Sequence, residues 1–166
     1  MTVRAVFLDR DGTLNRPAGP GDYITAPDQL RLLGGAATAV ALLRSAGYAC
    51  VVVSNQRGVS LGLMTAAALR AVDDRLRALA AIDASYYCTH GLHEACACRK
   101  PRAGLLIRAA AELDIDLQRS WIVGDRESDC EAGRRVGCRS LLIEPRDGAL
   151  LAAARSIIPL PAQIAA

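Results

Sequence analysis

Five short apolar runs, each too brief for an ordinary helix, recur along this chain and alternate with longer stretches rich in Ala and Leu. The runs occupy residues 3–8, 49–53, 84–87, 120–123 and 139–143. Between and after them lie residues 35–46, 65–81, 103–113, 128–136 and 147–155. Short, near-continuous apolar runs read as strands buried on both faces, and the Ala/Leu stretches read as helices. Gly47 closes the first helix and Thr65 is a candidate cap of the second. Regular alternation of the two elements predicts an α/β fold, a parallel sheet covered by helices on both faces. Residues 1–166 contain no internal repeat and no low-complexity linker, so a single domain is expected.

Bulk properties narrow the function classes. Aromatic residues make up only 4% of the chain, so the core must be aliphatic. A net charge of +3, with no block of like charge, argues against a nucleic-acid or membrane-surface partner and suits a small anionic ligand. No apolar run approaches the roughly 18 residues of a membrane span. The first ten residues lack the pattern of a secretory signal. A cytoplasmic protein is expected, with its six cysteines reduced or holding metal. No interface signal stands out, so a monomer is expected.

The first strand runs straight into charge, AVFLDRDGTLN. In extended chain Asp9 and Asp11 face the same way. Two close carboxylates repel, and hard oxygen ligands favour Mg²⁺ as the ion that holds them. Asp125, and with it Asp129, arrives from another strand end. In parallel sheets ligands bind at the carboxyl ends of the strands, where Ser54–Arg57 and the segment from Gly124 also fall. The expected Mg²⁺ set is Asp9, Asp11 and a carboxylate from the pair Asp125 and Asp129. A metal-neutralised Asp9 can attack phosphorus and form an aspartyl phosphate. Asp11 can give a proton to the leaving oxygen and later take one from water. Ser54 offers a hydroxyl and Lys100 a charge to the phosphoryl oxygens.

YYCTHGLHEACACRKP holds Cys88, His90, His93, Cys96 and Cys98. Three thiolates and an imidazole form a closed tetrahedral Zn²⁺ set, hence a structural site. Such a site would brace the loop that leads into Arg99 and Lys100. Cys50, Cys130 and Cys138 read as buried fillers.

FLDRDGTLN, VVVSNQRGV, CRKP and VGDRESD resemble, in order, the four motifs of the haloacid dehalogenase superfamily. The resemblance implies a Rossmann-like fold with Asp9 as nucleophile, Asp11 as acid/base, Ser54 and Lys100 as the phosphate-binding pair, and Asp125 as the metal acid. Asp129 matches the second acid of the last motif. The stretches from Thr13 to Ser54 and from Ser54 to Lys100 are already filled by expected elements, so no cap domain fits. Of the two histidines, His90 fits the family pattern, giving Cys88, His90, Cys96 and Cys98 as the zinc ligands.

The zinc loop resembles two related capless groups of the superfamily. These are the D-glycero-D-manno-heptose 1,7-bisphosphate phosphatases and the histidinol-phosphate phosphatases. The short spacing between His90 and Cys96 resembles the histidinol type. GDYI, SNQRGVSLGLMT and RKPRAGLL resemble the heptose type. The resemblance implies removal of the C7 phosphate of a heptose 1,7-bisphosphate, with histidinol phosphate as the alternative substrate. It implies that Arg99 reads the distal phosphate or sugar and that Asn55, Gln56, Arg57 and Arg126 line the substrate site. Arg57 stands where a small residue is usual, and Leu61-Gly62 replaces a common Arg-Gly. Tyr23 is placed to reach the substrate. A protonated amine would instead need an acidic group at the mouth, for which Glu94 and Glu127 are the candidates.

Overall fold

The structure, a computed structural model, describes residues 2–19 and 21–158. Strands β1 (Arg4–Leu8), β2 (Tyr48–Asn55), β3 (Ala84–Cys88), β4 (Trp121–Gly124) and β5 (Arg139–Leu142) form one parallel sheet in the order β3-β2-β1-β4-β5. Helices α1 (Ala36–Ser45), α2 (Ala66–Ala80), α3 (Gly104–Leu113), α4 (Glu127–Arg134) and α5 (Ala149–Ile157) connect and cover it.

Side-chain alternation along each strand builds two separate cores. Val6 and Leu8 of β1 join Cys50 and Val52 of β2 on one face, beneath α1, α2 and α5. Ala5 and Phe7 join Val51 and Val53 on the other, beneath α3 and the Ala132 face of α4. Each fully buried Leu, Ile or Phe contributes on the order of 1.5–3 kcal/mol. The runs read as nearly continuous apolar strands because both faces are covered.

Element ends differ from the sequence expectation for local reasons. β2 extends through Ser54 and Asn55, because their backbones pair with Tyr87 and Cys88 of β3. Helix α4 starts at Glu127, with Asp129 accepting a hydrogen bond from Arg126 N (3.1 Å), and stops at Arg134 ahead of Gly137. Thr65 caps α2 as expected, its side chain accepting from Ala68 N. Two short 3-10 turns, Pro27–Gln29 and Leu117–Arg119, were not legible as periodic segments.

From β1 the chain moves outward through β2 and β3, then returns to place β4 on the other side of β1. This reversal opens a crevice at the carboxyl ends of β1, β2 and β4, the position where such sheets bind ligands. Among the described residues, the connections after β1 and β3 hold loops and one 3-10 turn and insert no cap over that crevice. No helix among the described residues is long and apolar enough to cross a membrane.

Candidate active site

Asp9 leaves β1 with its N–H bound to Val123 O (3.0 Å), which ties the end of β1 to the end of β4. Two glycines let the carboxylates converge. Gly12 has φ +89°, and a Cβ there would stand 2.4 Å from Asp125 Oδ2. A Cβ at Gly124 would stand 2.2 Å from Asp129 Oδ2. Both sites therefore exclude any side chain. The outcome is a cluster of Asp9, Asp125 and Asp129 whose oxygens lie within 4.8 Å of one another.

Lys100 enters this cluster from the loop after β3. Its Nζ donates to Asp9 Oδ1 (2.8 Å) and to Val53 O (2.7 Å), and pairs with Asp129 Oδ1 at 2.6 Å. Asn55 fixes the lysine backbone at two points: its Oδ1 accepts from Lys100 N (3.0 Å) and its Nδ2 donates to Lys100 O (3.1 Å). Burial, the largest single influence, would raise the Asp9 carboxyl, but the Lys100 ammonium together with hydrogen bonds from Ser54 and the Arg10 backbone holds it below the ordinary carboxylate range. Burial raises Asp129, and Lys100 opposes that without cancelling it. Asp125, raised by burial and by the charges of Asp9 and Asp129, sits at about 6.

Three buried or half-buried carboxylates thus share a single ammonium. Asp125 Oδ1 is buried with no hydrogen-bond partner. An all-oxygen donor set with surplus negative charge and an orphaned acceptor fits a hard divalent cation such as Mg²⁺, whose ligand oxygens lie roughly 3–4 Å apart.

The observed carboxylate cluster differs from the expected metal set in one member. Asp129 is in it and the Asp11 carboxylate is not. Asp11 lies in the turn of residues 10–15, where Leu14 N and Asn15 N bond back to Arg10 O, and this turn ends the extended alternation. Its carboxylate is taken instead by Arg10, Asn15 and Gln56. Gln56, expected against substrate, is buried and donates to Asp11 Oδ2 (2.8 Å) and Ser54 Oγ (3.1 Å). Sequence reasoning missed Arg10 and Asn15 altogether. The signal for Arg10 was the alternation Val6, Leu8, Arg10, which continues the core-facing side of β1.

The crevice over these residues has a volume of about 550 Å³. Asn55, Arg57, Arg99 and Arg126 all line it, as do Asp22 and Tyr23. Arg57, Arg99 and Arg126 form no salt bridge among the described residues, and Arg57 Nε is buried without a partner. Glu94 and Glu127 do not line it. Glu94 accepts from Gly91 N, and Glu127 pairs with Arg134.

Beside the crevice, Cys88, His90, Cys96 and Cys98 converge, and His93 stays outside them. His90 Nδ1 lies 3.5 Å from Cys88 Sγ and 3.2 Å from Cys98 Sγ, and the sulfurs of Cys88 and Cys96 are 3.9 Å apart. Four ligands at Zn–S and Zn–N bond lengths on a tetrahedron stand roughly 3.3–3.8 Å from one another. The donor chemistry and the spacing both fit Zn²⁺. Arg99 Nη1 donates to His90 O (3.3 Å), so this loop also positions the arginine. Cys50 and Cys138 lie elsewhere, each pushed up to about 12, chiefly by burial, as expected of inert fillers.

Fold and site together are those of haloacid dehalogenase-type hydrolases, and residues 97–153 match the family model described as HAD-hydrolase-like. The D-glycero-beta-D-manno-heptose-1,7-bisphosphate 7-phosphatase of Bordetella bronchiseptica is 35% identical over 151 residues, covering 88% of this chain and 83% of that protein. The enzyme of the same name from Pseudomonas aeruginosa is 35% identical over 153 residues, covering 89% and 85%. The crystal structure of D,D-heptose 1,7-bisphosphate phosphatase from B. bronchiseptica, complexed with magnesium and phosphate, superposes with a TM-score of 0.84 at 32% identity, covering 93% of this chain and 98% of that one. The chain belongs to the haloacid dehalogenase superfamily and, within it, to the family of these heptose-bisphosphate 7-phosphatases.

Proposed function

We infer that this protein is a Mg²⁺-dependent phosphatase that removes the C7 phosphate of D-glycero-D-manno-heptose 1,7-bisphosphate. The observation that carries the substrate is the trio Arg57, Arg99 and Arg126, free of carboxylate partners and lining the same crevice as Asp9 and Lys100. One phosphate at Asp9 leaves these cations for a second. A protonated amine in their place would be repelled, and among the described residues Asp22 is the one acid lining the crevice besides Asp9, Asp11 and Asp129. The histidinol-phosphate alternative is therefore not favoured.

Asp9 attacks phosphorus and the bond from phosphorus to the C7 oxygen breaks. Asp11 delivers a proton to that oxygen as it leaves, then takes one from the water that attacks the aspartyl phosphate. Lys100 and Ser54 hold the phosphoryl oxygens. Asp9, Asp125 and Asp129 would hold Mg²⁺, which offsets their mutual repulsion and polarises the phosphoryl group when bound. Cys88, His90, Cys96 and Cys98 would hold a structural Zn²⁺. Their reduced thiolates suit a cytoplasmic enzyme, which we read as a single-domain monomer.

The test is ³¹P NMR of the product. Loss of the C7 phosphomonoester signal with the anomeric C1 phosphate retained supports the assignment. Release of the C1 phosphate, or of neither, contradicts it.

A further inference from the structure

Arg10 stands between the two aspartates that open the site, yet its side chain is 0% exposed and is the largest of the fully buried ones. Its Nε donates to Asp11 Oδ1 (3.1 Å) and its Nη2 to Asp11 Oδ2 (2.9 Å). Asn15 Nδ2 donates to the same Oδ1 (2.9 Å), and Gln56 Nε2 to the same Oδ2 (2.8 Å). A carboxylate offers about four acceptor positions on its two oxygens. Three side chains make four bonds to them, so Asp11 takes up a proton only where the neutral amide of Asn15 or Gln56 releases an oxygen. The two-point fork of Arg10 fixes the plane of the carboxylate as a single bond could not. Gln56 also donates to Ser54 Oγ, so the same clamp reaches the phosphate-binding hydroxyl. Asp11 remains 31% exposed and lines the crevice.

Stability is weak ground for this arrangement. A desolvated ion pair is often worth less than apolar side chains of the same volume. Arg10 Nη1, moreover, is buried with no partner.

Resting on the phosphatase chemistry inferred above, we propose that Arg10 is the positioning residue of the acid/base. With Gln56 and Asn15, it holds the Asp11 carboxylate at the crevice wall, and release of one amide bond opens the oxygen that gives a proton to the leaving group and later takes one from water. Arg10 touches neither substrate nor reacting atoms and acts through Asp11.

The test is single-turnover release of the leaving group, with enzyme in excess and Mg²⁺ present. It uses aryl phosphates of graded leaving-group acidity alongside the heptose bisphosphate. An ester whose leaving oxygen is already stable as an anion needs little help from an acid, whereas a sugar ester needs it fully. Arg10→Met should slow the sugar ester on the order of a hundredfold, with KM little changed, and leave the most activated aryl ester within about threefold. The dependence on leaving group therefore steepens. Arg10→Lys restores the charge without the fork and should recover part of the rate. Gln56→Leu should steepen the series in the same sense, and it carries the test if thermal melts show that Arg10→Met does not fold. Equal loss across all esters in folded variants, or no loss, overturns the positioning role. Wild-type protein that releases phosphate from no ester overturns the proposed function itself, and Arg10's role with it.

Discussion

Lys100 and Asp9, 91 positions apart, meet at 2.8 Å between Nζ and Oδ1 at the floor of the crevice, both side chains nearly buried. The same ammonium lies 2.6 Å from Asp129, so one cation holds two carboxylates while Asp125 stands by without one. The lysine therefore has two tasks, to keep the nucleophile ionised and to hold the metal-free cluster together.

Lys100→Met should thus damage both activity and fold. Removing one partner of a buried pair costs about 3–5 kcal/mol, so the metal-free variant should melt well below wild type. Turnover should fall by about a hundredfold or more. Added Mg²⁺ should restore part of the melting temperature and little of the rate. Unchanged melting would show that Lys100 does not hold the cluster.

Asp125 gives a pH dependence with a definite sign. Its folded pKa is raised from the ordinary 3.8 to about 6 by burial and by Asp9 and Asp129. The folded state binds this proton more tightly than the unfolded chain, so the stabilisation is fully present below 3.8 and is lost as pH rises through about 6. Without metal, Asp125→Asn should melt higher than wild type above that pH and nearly equal to it below pH 4. Mg²⁺ should reverse the order by stabilising only wild type. Parallel melting curves across this range would contradict the cluster's electrostatics.

Zinc should be measurable directly. Metal analysis of purified protein should give one zinc per chain, and Cys98→Ser should lose it. The loop that carries Arg99 and Lys100 should then loosen, lowering both the melting temperature and kcat. A zinc-free wild-type protein of undiminished stability would remove the structural metal from the site.

Arg99 should separate two substrates. Arg99→Met should lower kcat/KM for the 1,7-bisphosphate by roughly tenfold to a hundredfold, the range of a charge-assisted hydrogen bond. It should scarcely affect the 7-monophosphate, which lacks the distal group. Equal loss on both would make Arg99 a brace of the zinc loop through His90 O and not a reader of the second phosphate.

The sheet was legible in the sequence because strands buried on both faces carry an apolar signal at every position, as in residues 49–53, all but one of them buried. The carboxyl ends of those strands located Asp9, Ser54 and Asp125 for the same reason. Past the strand end the alternation no longer tells which side chains touch, although Asp9 and Asp11 both line the crevice. Asp9 and Asp11 face one way only in extended chain, and the turn at Arg10–Asn15 directs Asp11 to Arg10 and Gln56, leaving Asp129 with Asp9 and Asp125. Gln56 was visible as polar beside the site, but its partners are set by a contact 45 positions away, which no local pattern records. The cysteine cluster was visible because its ligands lie in one loop and their spacing is itself the signal.

The most direct measurement is kcat/KM for phosphate release, with Mg²⁺, from D-glycero-D-manno-heptose 1,7-bisphosphate and from histidinol phosphate in parallel. A bisphosphate advantage of several orders of magnitude is expected if the unpaired arginines of the crevice receive the second phosphate. Equal rates, or an advantage for histidinol phosphate, would leave the fold and the Asp9 chemistry standing and contradict the substrate.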